Sequence, residues 1–295
     1  MSRAAEILAP ILACPRCRTP MKLVEPSCAT CGFTPRTLEP NVLDLVDESL
    51  LSAHDRDEIE SQEHSVGAYY ENEAKLSFHW DRLSADDLFD QLGLPPSRVL
   101  DLGCATGGAG SALRRRGHVV VGADLTTPCL VAAEARLDAV VRADAAHLPF
   151  VDEAFDGIVA RGTLHHVEDP RPVLSEARRV LKTNGRALFV DPRAFWWMEP
   201  VKKMIRKRDP GFSDDHRAFS RDEYVSMIGG VFELESVRTV FPAAVLLAVA
   251  TDLVDLPDAV PRRRSAEILL DLDRRLSRTP LARLGHLLIV RARKR

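Results

Sequence analysis

Five short apolar runs, "RVLDLG", "HVVVGADL", "AVVRAD", "FDGIVARG" and "RALFVDP", recur between residues 98 and 192, separated by stretches of helical spacing. The runs are too short and too continuously apolar for amphipathic helices; strands buried on both faces read this way. The helical patterns cover Gly107 to Arg116, Thr126 to Leu137 and Pro170 to Leu181, the last followed by "KTNG" as a glycine stop. This alternation predicts an α/β fold with a doubly wound, mostly parallel sheet. Upstream, "SADDLFDQLGL" predicts a helix capped by Ser84 and ended by Pro95-Pro96. Downstream, "FELESVRTV" and "HLLIVRARK" predict a sixth and a closing strand. Two helical stretches, "FPAAVLLAVATDLVDL" and "RRRSAEILLDLDRRLSRTPLARLG", lie between them.

The cysteines sort by spacing. Cys14 with Cys17 and Cys28 with Cys31 form two C-x-x-C pairs ten residues apart, while Cys104 and Cys129 stand alone. Each pair resembles a zinc knuckle, whose tight turn aims two thiolates at one ion, so the two together complete a tetrahedron. Four cysteines close the shell, and such an ion folds its segment without doing chemistry. Two disulfides or a redox C-x-x-C are the alternatives; a reducing compartment disfavours the first, and the second needs no duplicate. Domain organisation follows: a zinc-ribbon segment over residues 1–45, a linker and helical cover over 46–96, and an α/β domain over 97–295.

Charge limits the partners. The formal net charge of −3 hides an acidic stretch from Asp44 to Glu63 and basic ones at Lys202 to Arg208 and Arg262 to Arg295. Apolar residues punctuate all of them, unlike a disordered charged tail. No run of about 18 apolar residues offers a membrane span. The amino-terminal stretch meets a cysteine pair instead of a small-residue cleavage site. A cytoplasmic protein is expected.

The loop after the first strand, "VLDLGCATGGAG", carries the functional signal. A buried strand ending on Asp101, followed by a loop that is half glycine, makes room for a ligand at the carboxyl edge of the sheet. A G-x-G-x-x-G dinucleotide fingerprint fails because Ala105 occupies its second glycine. Asp124 ends the second strand, where an acidic side chain takes the ribose hydroxyls of an adenosine.

These blocks, with "ADAAHLPF", "FDGIVARGTLHHVEDP" and "VLKTNGRALFVDP" in the same order, resemble the class I S-adenosylmethionine-dependent methyltransferases, particularly the branch of quinone-ring and natural-product enzymes. The resemblance covers roughly Arg98 to Val190. It implies a seven-stranded Rossmann-like sheet, S-adenosylmethionine as cofactor beside the structural zinc, and direct methyl transfer. Gly103, Cys104, Ala105 and Gly107 would let backbone approach the methionine and ribose part. Asp101 would receive the methionine ammonium, its alternative being a loop cap. Asp124 and Leu125 would meet the ribose, Asp144 and Ala145 the adenine, and Arg161 belongs to the same set.

Because the sulfonium already activates the methyl group, alignment supplies much of the acceleration. A hydroxyl or acidic-carbon acceptor also needs a base, and His165 and His166 follow the fourth strand beside the expected methyl; one or both can instead be structural. Tyr69, Tyr70, His79 and Trp80 are weaker candidates for lining the acceptor pocket. The late helices suit a lid over a sizeable apolar acceptor, the small molecule being quinone-like, lipid-linked or a natural product; a dimer contact or plain core is the alternative. Two other functions compete. An rRNA or tRNA methyltransferase would dock RNA through the zinc ribbon and set Lys202 to Arg208 against phosphates, although such a run also reads as a solvated helix face. The ribbon also resembles a small zinc protein that activates tRNA and release-factor methyltransferases, which implies a protein-docking module fused in cis.

Overall fold

A computed structural model of the chain describes residues 2–23, 27–38, 42–65, 71–73, 75–194, 218–241 and 260–295. The strands are β1 (Arg36–Leu38), β2 (Val42–Asp44), β3 (Arg98–Leu102), β4 (Val119–Asp124), β5 (Ala139–Arg142), β6 (Phe155–Arg161), β7 (Leu181–Pro192), β8 (Glu233–Val240) and β9 (Leu287–Arg293). They form one nine-stranded sheet in the order β1-β2-β5-β4-β3-β6-β7-β9-β8. From β2 to β7 all neighbours are parallel, and β9 runs antiparallel to both β7 and β8. The seven strands expected from the sequence are present. A hairpin from the amino-terminal segment adds two more.

Alternation along the central strands builds the layers. Leu100, Leu102, Val121 and Ala123 face one core with α6 (Pro170–Val180) and α7 (Arg221–Gly229). Val99, Val120, Val159 and Val190 face the other, against α3 (Leu76–Phe89), α4 (Ser111–Arg115), α5 (Thr127–Ala133) and α8 (Arg262–Leu276). Strands covered on both sides need continuous apolar runs, which is why their sequence shows no polar alternation.

Local details differ from expectation. Ser84 lies inside α3 instead of capping it, its hydroxyl donating to the carbonyl of Asp81. α3 begins nine residues earlier than expected, because Leu76 and Trp80 extend the buried face toward the amino terminus. α6 ends at Val180 and β7 starts at once. The left-handed residue of "KTNG" is Asn184, at φ 65°, and not Gly185. The stretch Phe241 to Leu256 lies outside the described residues apart from Phe241, as does Lys202 to Arg208.

The cysteine segment joins the first core. Leu8 of α1 (Arg3–Leu8) is buried with Ile11, Leu12, Met21 and Phe33 in one cluster with Leu100 and Val121. Burying these five side chains stabilises on the order of 10 kcal/mol, as much as a whole domain's net stability. Backbone bonds run from Ala13 N to Pro149 O and from Val151 N to Ile11 O. β2 then pairs parallel to β5, with Asp44 opposite Arg142. The Arg142 guanidinium, largely buried, meets the Asp44 carboxylate at 3.3 Å and Glu48 at 3.0 Å, while its Nε donates to the carbonyl of Leu125. One side chain thus ties the added hairpin to the loop after β4.

Arg142→Ala leaves the Asp44 carboxylate buried without its cation, so about 3 kcal/mol of stability should be lost. Urea unfolding would read this as one cooperative transition at lower midpoint; an unchanged midpoint would show the hairpin to be loosely attached.

Candidate active site

Carboxylates cluster where the parallel strands end. Asp101, the penultimate residue of β3, is 3% exposed, and its Oδ2 has no hydrogen-bond partner. Burial, and secondarily the neighbouring charge of Asp124, push its carboxyl up to about 7, against the pull of Arg161. The loop beyond is shaped around it. A Cβ on Gly110 would lie 2.1 Å from Asp101 Oδ2, and one on Gly103, at φ +69°, would lie 2.4 Å from Thr163 Oγ1. Both positions therefore require glycine.

Asp124 joins two loops. Its Oδ2 accepts from Ala105 N and its Oδ1 from Thr126 N, both at 2.9 Å. Burial raises its carboxyl, and these backbone donors pull it back down. The bond to Ala105 holds that alanine at φ 44°, a left-handed geometry that glycine would take more easily. The side chain of Cys104 turns into the sheet, where a Cβ on Gly122 would lie 2.7 Å from its sulfur, so only its backbone faces the loop. Leu125 presents its carbonyl to Arg142.

Two expected contacts are engaged elsewhere. Asp144 accepts from Ala146 N at 2.8 Å and from His147 Nδ1 at 2.6 Å, which fixes the loop holding Ala145. Arg161, at the end of β6, grips Asp81 Oδ1 at 2.5 Å and Ser84 Oγ at 3.1 Å, clamping α3 to the sheet. It reaches the strand ends through its charge.

His165 and His166 sit in a 3-10 turn after β6, their ring centroids 4.0 Å apart. His165 Nδ1 donates to Asp191 Oδ1 at 2.9 Å, and Tyr224 donates its hydroxyl to Asp191 Oδ2 at 2.7 Å. Complete burial pushes the Asp191 carboxyl up to about 7, and the Tyr224 hydrogen bond lowers it. His166 Nδ1 lies 2.7 Å from Oε1 of Glu58, in α2 (Ala53–Ser65), and the carbonyl of His166 accepts from His54 Nε2 at 3.0 Å. Burial and the neighbouring His165 lower the His166 imidazole, while Glu58 raises it.

His54, Glu58, Asp191, Tyr224 and Arg142 escaped sequence reasoning. Asp191 carries the same signal as Asp101, a charge ending an apolar run; Glu58, in a helix without an apolar stripe, carries none. Of the weaker candidates, Trp80 is buried edge-on against Phe241 and His79 contacts the carbonyl of Glu73. Tyr69 and Tyr70 lie outside the described residues.

The four amino-terminal cysteines converge, every Sγ within 4.8 Å of the others. Cys14 and Cys31 approach to 3.5 Å and Cys17 and Cys28 to 3.4 Å, near the sulfur–sulfur edge of about 3.8 Å that a tetrahedral zinc requires. The two knuckles repeat each other. Cys14 N bonds Thr19 O and Cys28 N bonds Phe33 O, and each pair is followed by a left-handed residue, Arg18 or Gly32. This donor set fits a tetrahedral metal and keeps no position open for substrate.

Comparison with known proteins agrees with this geometry. Residues 100–189 match the family described as methyltransferase domain. A demethylmenaquinone methyltransferase of Thermotoga maritima is 31% identical over 145 residues, 48% of this chain and 58% of that one. The chain therefore spans rather more than half the length of that relative. A solved S-adenosylmethionine-dependent methyltransferase, also from Thermotoga maritima, superposes with a TM-score of 0.55 at 19% identity, over 80% of this chain and 99% of that one. The geranyl diphosphate C-methyltransferase of Streptomyces coelicolor, solved with Mg2+, a geranyl thiolodiphosphate and S-adenosylhomocysteine, gives 0.52 at 19%, covering 72% and 76%. At these identities the likeness is one of fold. With the matched segment, the sheet order and the carboxylate-ended strands taken together, residues 100–189 form a methyltransferase domain, on a fold shared with solved S-adenosylmethionine-dependent methyltransferases.

Proposed function

We propose that the protein transfers a methyl group from S-adenosylmethionine to a small, largely apolar acceptor by direct displacement. The carrying observation is the buried, unpartnered Oδ2 of Asp101, since an orphaned carboxylate oxygen costs free energy unless a cation completes it. The methionine ammonium is such a cation. Asp124 would accept from the ribose hydroxyls, with Leu125 beside it, and Asp144 and Ala145 would border the adenine. The glycine positions of the loop, with Ala105 and the backbone of Cys104, would admit the ligand closely. Arg161 would hold α3 over the site. When bound, the cofactor supplies an activated methyl group on a sulfonium; the chain's own residues align the partners and exclude water. The small-molecule reading draws on the relatives named for demethylmenaquinone and geranyl diphosphate.

The four cysteines would hold one structural zinc. Sequence alone separates residues 1–45 from the rest, and zinc loss would then loosen only that segment. Because Cys14 and Cys28 share a core with Leu100 and Val121, we infer one cooperative unit instead. This also argues against a ribbon free to dock proteins, as its apolar face is already covered. Among the described residues no helix is long and apolar enough to cross a membrane.

Three outcomes test these assignments. Calorimetry with S-adenosylhomocysteine should show affinity rising from pH 5 to about 7 and levelling above. The sign follows because the ligand's ammonium selects ionised Asp101, whose carboxyl holds its proton up to about 7 in the free protein. Asp101→Asn should flatten the profile; a wild-type profile flat over this range would remove Asp101 from the ammonium site. Asp124→Ala should weaken binding by about 1.5–3 kcal/mol or more, since the hydroxyls lose a charged acceptor and Ala105 its anchor. Unchanged affinity would put the ribose elsewhere. Anaerobically purified protein should carry one zinc per chain, and Cys14→Ser should lower the melting temperature of the entire protein; a metal-free preparation with native stability would exclude the zinc.

A further inference from the structure

We propose that Glu58 of α2 is the positioning residue for His166, and that this pair is the base of the reaction while His165 with Asp191 and Tyr224 forms its fixed support. The inference rests on the methyltransferase reading above. Both histidines direct Nδ1 at a carboxylate, but the carboxylates differ. Asp191 is fully buried in the sheet and already serves His165 N, His165 Nδ1 and the Tyr224 hydroxyl. That saturates it and locks His165. Glu58 comes from the cover helix, and its contact at 2.7 Å is with a half-buried imidazole.

The 2.7 Å contact lies off hydrogen-bond alignment, and a small rotation of the ring would close it; a carboxylate at that distance favours the tautomer of His166 with its proton on Nδ1. Its proton-accepting nitrogen is then Nε2. Asp124 at the end of β4 and Asp191 near the end of β7 both act on the ring through their charge, which places it near the strand ends. Among the described residues, the groups facing it are His165 from its own turn, Asp191 from β7, Asp124 from β4, and Glu58 and His54 from α2. Only Glu58 combines direct contact with the ring and an origin outside the sheet.

The step balances without a further reagent. The acceptor's O–H or acidic C–H gives its proton to His166 Nε2 while the electron pair it leaves takes the methyl group. The bond to sulfur breaks with its pair retained by the thioether product. The imidazolium so formed is stabilised through Nδ1–H by the Glu58 carboxylate, then returns its proton to solvent.

Nuclear magnetic resonance of protein labelled with 15N-histidine, saturated with S-adenosylhomocysteine, reads the pair without knowledge of the acceptor. Wild-type His166 should show the Nδ1–H tautomer when neutral. Glu58→Gln should lower its proton affinity roughly tenfold, Glu58→Asp should recover part of that, and His165 should not move. Identical His166 titration in wild type and Glu58→Gln, or equal shifts at both histidines, overturns the proposal. Transfer of label from methyl-tritiated S-adenosylmethionine into a lipid-soluble host extract completes the test. Glu58→Gln should slow it at least tenfold at unchanged S-adenosylhomocysteine affinity, and an undiminished rate would remove the base. Wild-type protein that neither binds S-adenosylhomocysteine nor transfers label ends the methyltransferase reading itself, a result separate from the His166 titration.

Discussion

Parallel strands bring their carboxyl ends to one edge, and here that edge gathers Asp101, Asp124, Asp144 and Asp191. Four acidic groups in partial burial repel one another and lose hydration, so each needs compensation. Asp124 finds it in two backbone amides, Asp144 in an amide and His147, Asp191 in His165 and Tyr224. Those bonds also hold the loops after β3, β4, β5 and β6 in place. Asp101 alone of the four has an oxygen with no donor. Three of these electrostatic problems are solved internally and shape the loops at this edge; in the proposed reading the fourth is answered by the ligand's ammonium.

The amino-terminal segment reaches the same edge by another route. It buries apolar side chains under the sheet, extends it by a hairpin, and through Arg142 touches the carbonyl next to Asp124. A fold that could have ended at β5 thus has that edge covered, which moves the exposed edge to the short β1 as well as stiffening the loop. The price is dependence on the cysteine cluster, because Cys14 and Cys28 lie in the same apolar cluster as the central strands.

Much of this was legible in the sequence because it rests on local periodicity or fixed spacing. The central strands announce themselves by unbroken apolar runs, the cysteine cluster by two repeated C-x-x-C pairs, and the cleft by Asp101 before its glycines. Contacts made across long separations were not legible. Glu58 meets His166 and Arg142 meets Asp44 only after the sheet has formed, and nothing near either residue in the chain marks the partner. Ser84 misled for a physical reason, since a serine can serve a helix interior by donating to an earlier carbonyl, here that of Asp81.

The cover helix shows how such long-range contacts combine. Apart from Ile59 and its first alanine, α2 is polar, so burial cannot fix its position. Its start is set by a reciprocal cap, in which Ser52 N and Oγ donate to Asp55 while Asp55 N donates to Ser52 Oγ. Its inner face is set by His54 and Glu58, both on residue 166. A helix without an apolar stripe belongs to the low-stability end of a structure, where segments open without global unfolding. In the proposed mechanism the docking of this helix and the orientation of His166 depend on one contact, since the carboxylate that meets the ring belongs to the helix.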